Sequence, residues 1–288
     1  MDFSNCAPTF GRYEFVVRRL HSLTGLVPVG AYLAFHLATN ASILDGLEAY
    51  QHRVDQIAGL GPTTIFLLEW PFIFLPILFH GIVGMFIVCR GKRNVALYPY
   101  LEHTRYTLQR WTGVIALVFI LCPVFQMHGW LRFEWWHEGL ARRLGGARFN
   151  PADAFSAAAA IRSSLWIQAF YMLGVLACVY HLANGIWTFG ITWGIWTSPN
   201  AQRWANVPCL GAGLFLAVLG VAALVGMVTV ERPAAAPAAR TLEAAGELSE
   251  TGVPPLRGFT RGTVPFSLRE NWDSPQAISR PVPTPGSR

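Results

Sequence analysis

TTIFLLEWPFIFLPILFHGIVGMFIV, residues 63–88, runs for 26 residues with a single carboxylate, Glu69, and a single imidazole, His80, as its ionisable side chains. A helix rises about 1.5 Å per residue and the hydrocarbon core of a bilayer is about 30 Å thick, so roughly 20 such residues cross it. Comparable runs fall at roughly 20–40, 107–130, 163–190 and 208–230. None alternates as a barrel strand would, and only helices or closed barrels satisfy the backbone in lipid. The expected fold is an all-α membrane protein with five transmembrane helices.

Composition agrees. The 288 residues are 53% hydrophobic and 13% charged, against about 25% charged in an ordinary soluble domain. Eleven Trp and eight Tyr suit aromatic belts at two interfaces. The net charge of +6 comes from arginines and lysines gathered near helix ends and in loops, so it orients helices and is no nucleic-acid face. Five cysteines form no CxxC pair, which argues against a zinc site or a disulfide framework. Met1–Arg19 lacks the apolar core of a signal peptide and reads as a cytoplasmic segment, 1–19. Residues 20–230 form the five-helix domain. The segment 231–288 holds nine of the 19 prolines and few large apolar residues, and reads as a disordered Pro/Ala-rich tail.

Basic residues set the orientation. Arg12, Arg18 and Arg19 precede the first helix, whereas Arg53 is alone in the first loop. Arg90, Lys92, Arg93, Arg105 and Arg110 flank the second loop. These counts place the N-terminus in the cytoplasm. The basic loop 131–162, with Arg142, Arg143 and Arg148 beside Trp135 and Trp136, argues the other way, but long outer segments carry less weight.

Ionisable groups inside a membrane are costly, so each is a functional hypothesis. His36, His80, His128 and His181 fall one apiece in four successive helices. A lone histidine in a bundle is most often an interhelical hydrogen bonder; four of them suggest a haem-binding helical bundle. Haem b takes two neutral imidazoles from facing helices, with small residues such as Gly81, Gly84 and Gly185 to admit a flat macrocycle. His80 lies 17 residues after Thr63 and His181 lies 18 after Ser163, both about 25 Å along parallel helices. They pair at one level, near the cytoplasmic face. His36 lies 17 residues beyond Arg19 on a helix of opposite direction and belongs to an outer level, roughly 15–20 Å away.

An internal echo complicates the outer partner. The first helix reads LTGLVPVGAYLAFH and the third WTGVIALVFILCPVFQMH; the second and fourth carry HGIVG and HLANG. Counting from Gly113, the position matching His36 is Pro123 or Val124, neither able to bind iron. His128 is about one turn further on and rotated by roughly 140°, and Met127 is nearer the original face. A His36–His128 pair, a His36–Met127 pair and no outer haem all stay open.

With RRLHSLTGLVPVG (18–30), AFHL (34–37), EWPFIFLPILFHGIVG (69–84), LQRWTGV (108–114) and YHLANGIWTFGITWG (180–194), the chain resembles the diheme cytochrome b membrane anchor of succinate:quinone oxidoreductase over about 15–230. The resemblance implies axial ligands at His36, His80 and His181; the fourth falls on Pro123, making His128 a substitute. It also implies a flavoprotein and an iron–sulfur subunit as partners, menaquinone or another quinone as substrate, and a bacterial cytoplasmic membrane as the location. The chain has no dinucleotide fingerprint and no cysteine cluster for an iron–sulfur centre, so it cannot oxidise succinate alone.

Glu69, eleven residues before His80 and on the same face, reads as a proton relay beside an outer quinone site, or else as an interfacial carboxylate bonded locally. His21, with Arg18, Arg19 and Ser22, reads as a propionate or iron–sulfur-subunit contact, or as plain positive-inside anchoring. His52, His103 and His137 read as solvated loop residues. Two rivals remain. One is the anchor of a quinol:fumarate reductase, although Val179 stands where that type can carry a glutamate two residues before the fourth-helix histidine. The other is a non-redox scaffold or transporter with structural histidines, which would tend to place them at the midplane rather than near the two faces.

Overall fold

The structure is a computed structural model that describes residues 11–90, 101–131 and 133–232, with the backbone alone at 101–103. It is an all-α membrane protein. Among the described residues, five helices are long and apolar enough to cross a bilayer: Gly11–Asp45, Pro62–Arg90, Thr104–His128, Leu165–Thr192 and Pro199–Thr229. They are termed the first to fifth spans. The end where the first span begins is the near end, and the opposite end is the far end. The expected tail, 231–288, lies outside the described residues beyond Arg232.

The helices overrun their apolar cores at identifiable signals. The fifth begins at Pro199, nine residues before the apolar run, because Ser198 caps it, accepting from the Ala201 N–H at 3.1 Å. Ser164 caps the fourth, accepting from the Trp166 N–H at 3.2 Å. The first span extends outward through Glu14–Thr24, where Glu14 accepts from Arg18 at 2.7 Å and from Arg90 of the second span at 3.1 Å. Within the spans, three turns among the described residues are widened to the π form, over Gly25–Gly30, Trp70–Phe74 and Val124–His128. Pro28 and Pro71 lie inside the first two, and Pro123 immediately precedes the third. A proline removes a backbone donor and clashes with the preceding turn, and the extra residue relieves that crowding.

Lipid explains the distribution of apolar side chains. Leu210, Leu214 and Val218 of the fifth span, spaced by four, are 73%, 64% and 62% exposed, which suits a membrane-facing stripe. The opposite face is built from small residues. A Cβ at Gly213 would sit 2.8 Å from that of Ala183, and one at Gly220 would sit 2.7 Å from Val175. The fifth span therefore lies closely against the fourth.

The far end is capped by folded loop. The helices Leu47–Ala58 and Phe155–Arg162 bury Tyr50, Val54, Ala157, Ala158 and Ile161 in one cluster with Leu224 and Met227. Gln51 ties the two loops, donating to the Pro151 carbonyl at 2.8 Å and accepting from the Ala154 N–H at 2.7 Å. The carbonyls of Phe125, Gln126 and Met127, in the last turn of the third span, accept from Ala147, Arg148 and Phe149 N–H groups at 3.1, 2.9 and 3.1 Å. Gly129 (φ +76) turns the chain out of the helix, and a side chain there would meet Ala147 at 3.0 Å.

Candidate functional site

A continuous cavity of about 1860 Å³ runs between the spans, from Arg18, His21, His80 and His181 at the near end to His36, Glu69 and His128 at the far end. At the near end His80 and His181 approach from the second and fourth spans. Their ring centroids are 6.1 Å apart and their planes stand at 84°. A metal–imidazole bond is about 2 Å long, so two rings on opposite sides of one metal have centroids roughly 6 Å apart. The observed spacing fits.

Both rings are held in the same tautomer by the same device. His80 Nδ1–H donates to the His21 carbonyl at 2.8 Å, and His181 Nδ1–H donates to the Gln109 carbonyl at 3.0 Å. Each Nε2 is left as the lone-pair nitrogen, the form a metal requires. Each ring also lies flush on a glycine four residues after its acceptor. A Cβ on Gly25 would fall 2.2 Å from His80 Cε1, and one on Gly113 would fall 2.7 Å from His181 Cε1. Thr24 and Thr112, just before these glycines, donate to the same two carbonyls at 3.1 and 3.2 Å. The first and third spans thus present matching seats to the histidines of the second and fourth.

Outside the pair the two seats differ. The His21 ring stacks on His80, with centroids 4.1 Å apart and planes 8° from parallel. On the other side Gln109 also donates through Nε2 to the His181 carbonyl at 3.1 Å, and accepts from Asn184 Nδ2 at 2.7 Å. Asn184, 5% exposed, accepts in turn from Arg105. Arg105 reaches Asn206 at 2.6 Å and lies over the Trp187 ring at 3.9 Å from its centroid. Every member of this chain of polar groups has a partner, as low dielectric demands.

At the far end the groups are arranged differently. His36 Nδ1 lies 3.5 Å from the Tyr32 hydroxyl one turn earlier on its own helix. His128 ends the third span within the widened turn; its Nε2 is 3.9 Å from Glu69 Oε2 and its ring 5.9 Å from that of Phe74. Pro123 and Met127 also line the cavity. Of the loop histidines, His52 bonds Gln56 at 3.1 Å and His137 bonds Glu138 at 2.9 Å; of His103 only the backbone is described.

Gly25, Gly113, Gln109 and the His21 carbonyl were not singled out from the sequence as parts of the near-end pair. The signal was present in the Thr-Gly shared by the first and third helices. It marks seats for histidines on the neighbouring helices, as well as a register for those on its own.

No protein-family model matches the sequence. The chain is 34% identical over 221 residues to the succinate dehydrogenase cytochrome b558 subunit of Bacillus subtilis (strain 168), a match that covers 76% of this chain and 99% of that protein.

Proposed function

The chain belongs to the family of the succinate dehydrogenase cytochrome b558 subunit, and from that premise we propose that it holds haem b between His80 and His181 and delivers electrons to a quinone. Its partners are then a flavoprotein and an iron–sulfur subunit, which it anchors to the membrane. The observation that carries the reading is the near-end pair: two imidazoles 6.1 Å apart, each fixed through Nδ1 and each seated on a glycine.

Haem bound there supplies reversible one-electron transfer. The protein's part is to hold it and to manage protons. His80 and His181 would hold the iron through Nε2, and their Nδ1–H bonds to backbone carbonyls fix each ring and would raise its basicity as a ligand. Arg18, Arg19 and Ser22 stand by the near end of the first span, suited to haem carboxylates or to the iron–sulfur subunit. The positive-inside asymmetry supports a cytoplasmic location for that end, where the soluble subunits would dock, and the resemblance implies a bacterial membrane.

A quinone takes up two electrons and two protons in becoming a quinol. Glu69, facing His128 across 3.9 Å at the far end, is the carboxylate placed to relay protons there. Menaquinone is the quinone we assign, from the resemblance to single-chain anchors of five helices.

A dithionite-reduced minus oxidised spectrum of the purified complex tests this. The wild type gives the α-band of b-type haem, and His80→Ala and His181→Ala each abolish the near-end contribution. A spectrum unchanged by both substitutions refutes the assignment.

A further inference from the structure

We infer that the far half of the cavity is a quinone chamber in place of an outer haem site, so that the chain holds one haem and uses His36 to bind quinone. This rests on the near-end haem proposed above and extends it to the second histidine level.

The near end shows what this bundle builds around an axial imidazole: a glycine under the ring and a backbone carbonyl on Nδ1. The far end does not repeat the arrangement. A glycine of the fourth span, Gly174, does face the third span, but the ring of Phe119 lies on it. A Cβ there would fall 2.0 Å from Phe119 Cδ2. Phe119 is held in turn by Phe170 and Tyr171, at centroid distances of 5.4 and 5.5 Å.

The third-span position matching His36 carries Pro123, which has no ligating atom. His128 lies beyond it in the widened turn and is directed at Glu69 and Phe74, both on the second span. His36 meets a side-chain hydroxyl on its own helix. A bis-imidazole iron site needs a fixed tautomer and an opposed partner; here the histidines are engaged in two polar pairs, His36–Tyr32 and His128–Glu69.

Those pairs suit a quinone. A quinone head is a flat apolar ring with two opposed carbonyl oxygens, so it wants apolar walls and a proton-bearing group at each edge. Ile73, Phe74 and Met127 supply lining, and the two pairs supply the polar groups. Reduction adds two electrons, originating in the iron–sulfur subunit, and two protons, one to each oxygen. Tyr32, His36, Glu69 and His128 are the groups that can pass those protons. Pockets for drug-sized ligands run roughly 300–1,000 Å³, so a cavity of about 1860 Å³ admits a near-end macrocycle and a far-end quinone head together.

The experiment counts haem per cytochrome polypeptide in the purified complex by pyridine haemochromogen, and measures binding of 2,3-dimethyl-1,4-naphthoquinone by calorimetry. The wild type should carry one haem per chain. His36→Leu should keep that haem and its α-band while weakening naphthoquinone binding about tenfold, the order expected for losing one good hydrogen bond. Tyr32→Phe, a gentler change, should weaken it about threefold with the haem intact. Two haems per wild-type chain, loss of haem in assembled His36→Leu, or unchanged naphthoquinone affinity in both variants would each overturn the inference. Absence of haem from the wild type would instead sink the near-end reading. If His36→Leu does not assemble, the wild-type count and Tyr32→Phe decide.

Discussion

Gly25→Ala tests the seat beneath His80. The added methyl carbon would stand 2.2 Å from Cε1 and 2.6 Å from Nδ1 of that ring. Carbon atoms rest at about 3.5–4.0 Å, so the ring must retreat by roughly 1.3 Å or the two helices must part. Retreat stretches the 2.8 Å bond from Nδ1–H to the His21 carbonyl past hydrogen-bonding range and turns Nε2 from its aim. Disturbing such an outer partner commonly costs about 10–100-fold in metal affinity. Gly113→Ala is milder: its methyl would stand 2.7 Å from His181 Cε1, a deficit of roughly 0.8 Å. Gly211, where an added methyl would meet nothing within 4 Å, serves as control. Haem retained per polypeptide after detergent washing should fall in the order Gly211→Ala, Gly113→Ala, Gly25→Ala. Full haem with an unshifted α-band in Gly25→Ala would refute the seat.

Three further outcomes follow from other contacts. Gln109→Ala leaves the carbonyl that receives His181 but strips a partner from buried Asn184, a cost of about 1–3 kcal/mol; the thermal midpoint should drop by several degrees while the haem spectrum persists. Glu69→Gln should slow quinone turnover without altering near-end haem content, and unchanged turnover would reject the relay. Tyr50, in the far-end cap, has its hydroxyl pKa pushed up to about 12 by burial. The folded state therefore favours the neutral phenol, and that contribution, complete below about pH 10, is lost as pH rises toward 12. Thermal melts across this window should show a decline that Tyr50→Phe lessens.

The five spans were legible because lipid demands long apolar runs, and that demand is written residue by residue. Their ends were less so. Ser198 and Pro199 start the fifth helix well before its apolar run, since a helix can protrude into the interface. His80 and His181 could be paired by counting rise along parallel helices, and the structure brings their rings together. Their seats were harder to see: the acceptors are backbone carbonyls, whose use leaves no side-chain mark, and the glycines act by lacking one. At the far end, counting from Gly113 found Pro123 but could not orient His128. The widened turn after the proline changes the angular register, so the direction of that ring toward Glu69 was not readable from a regular helical wheel.

Each histidine seat is cut from the helix immediately preceding it in the membrane. His80 rests on Gly25 and His21, His181 on Gly113 and Gln109, so the first two spans carry one complete half-clasp and the next two carry the other. Neither hairpin needs its counterpart to shape its own ring. On the haem proposed above, each could be inserted during biogenesis as a finished unit, and the union of the two halves through the iron would come last. A gene split within residues 91–100 would then deliver two fragments that reunite on the cofactor.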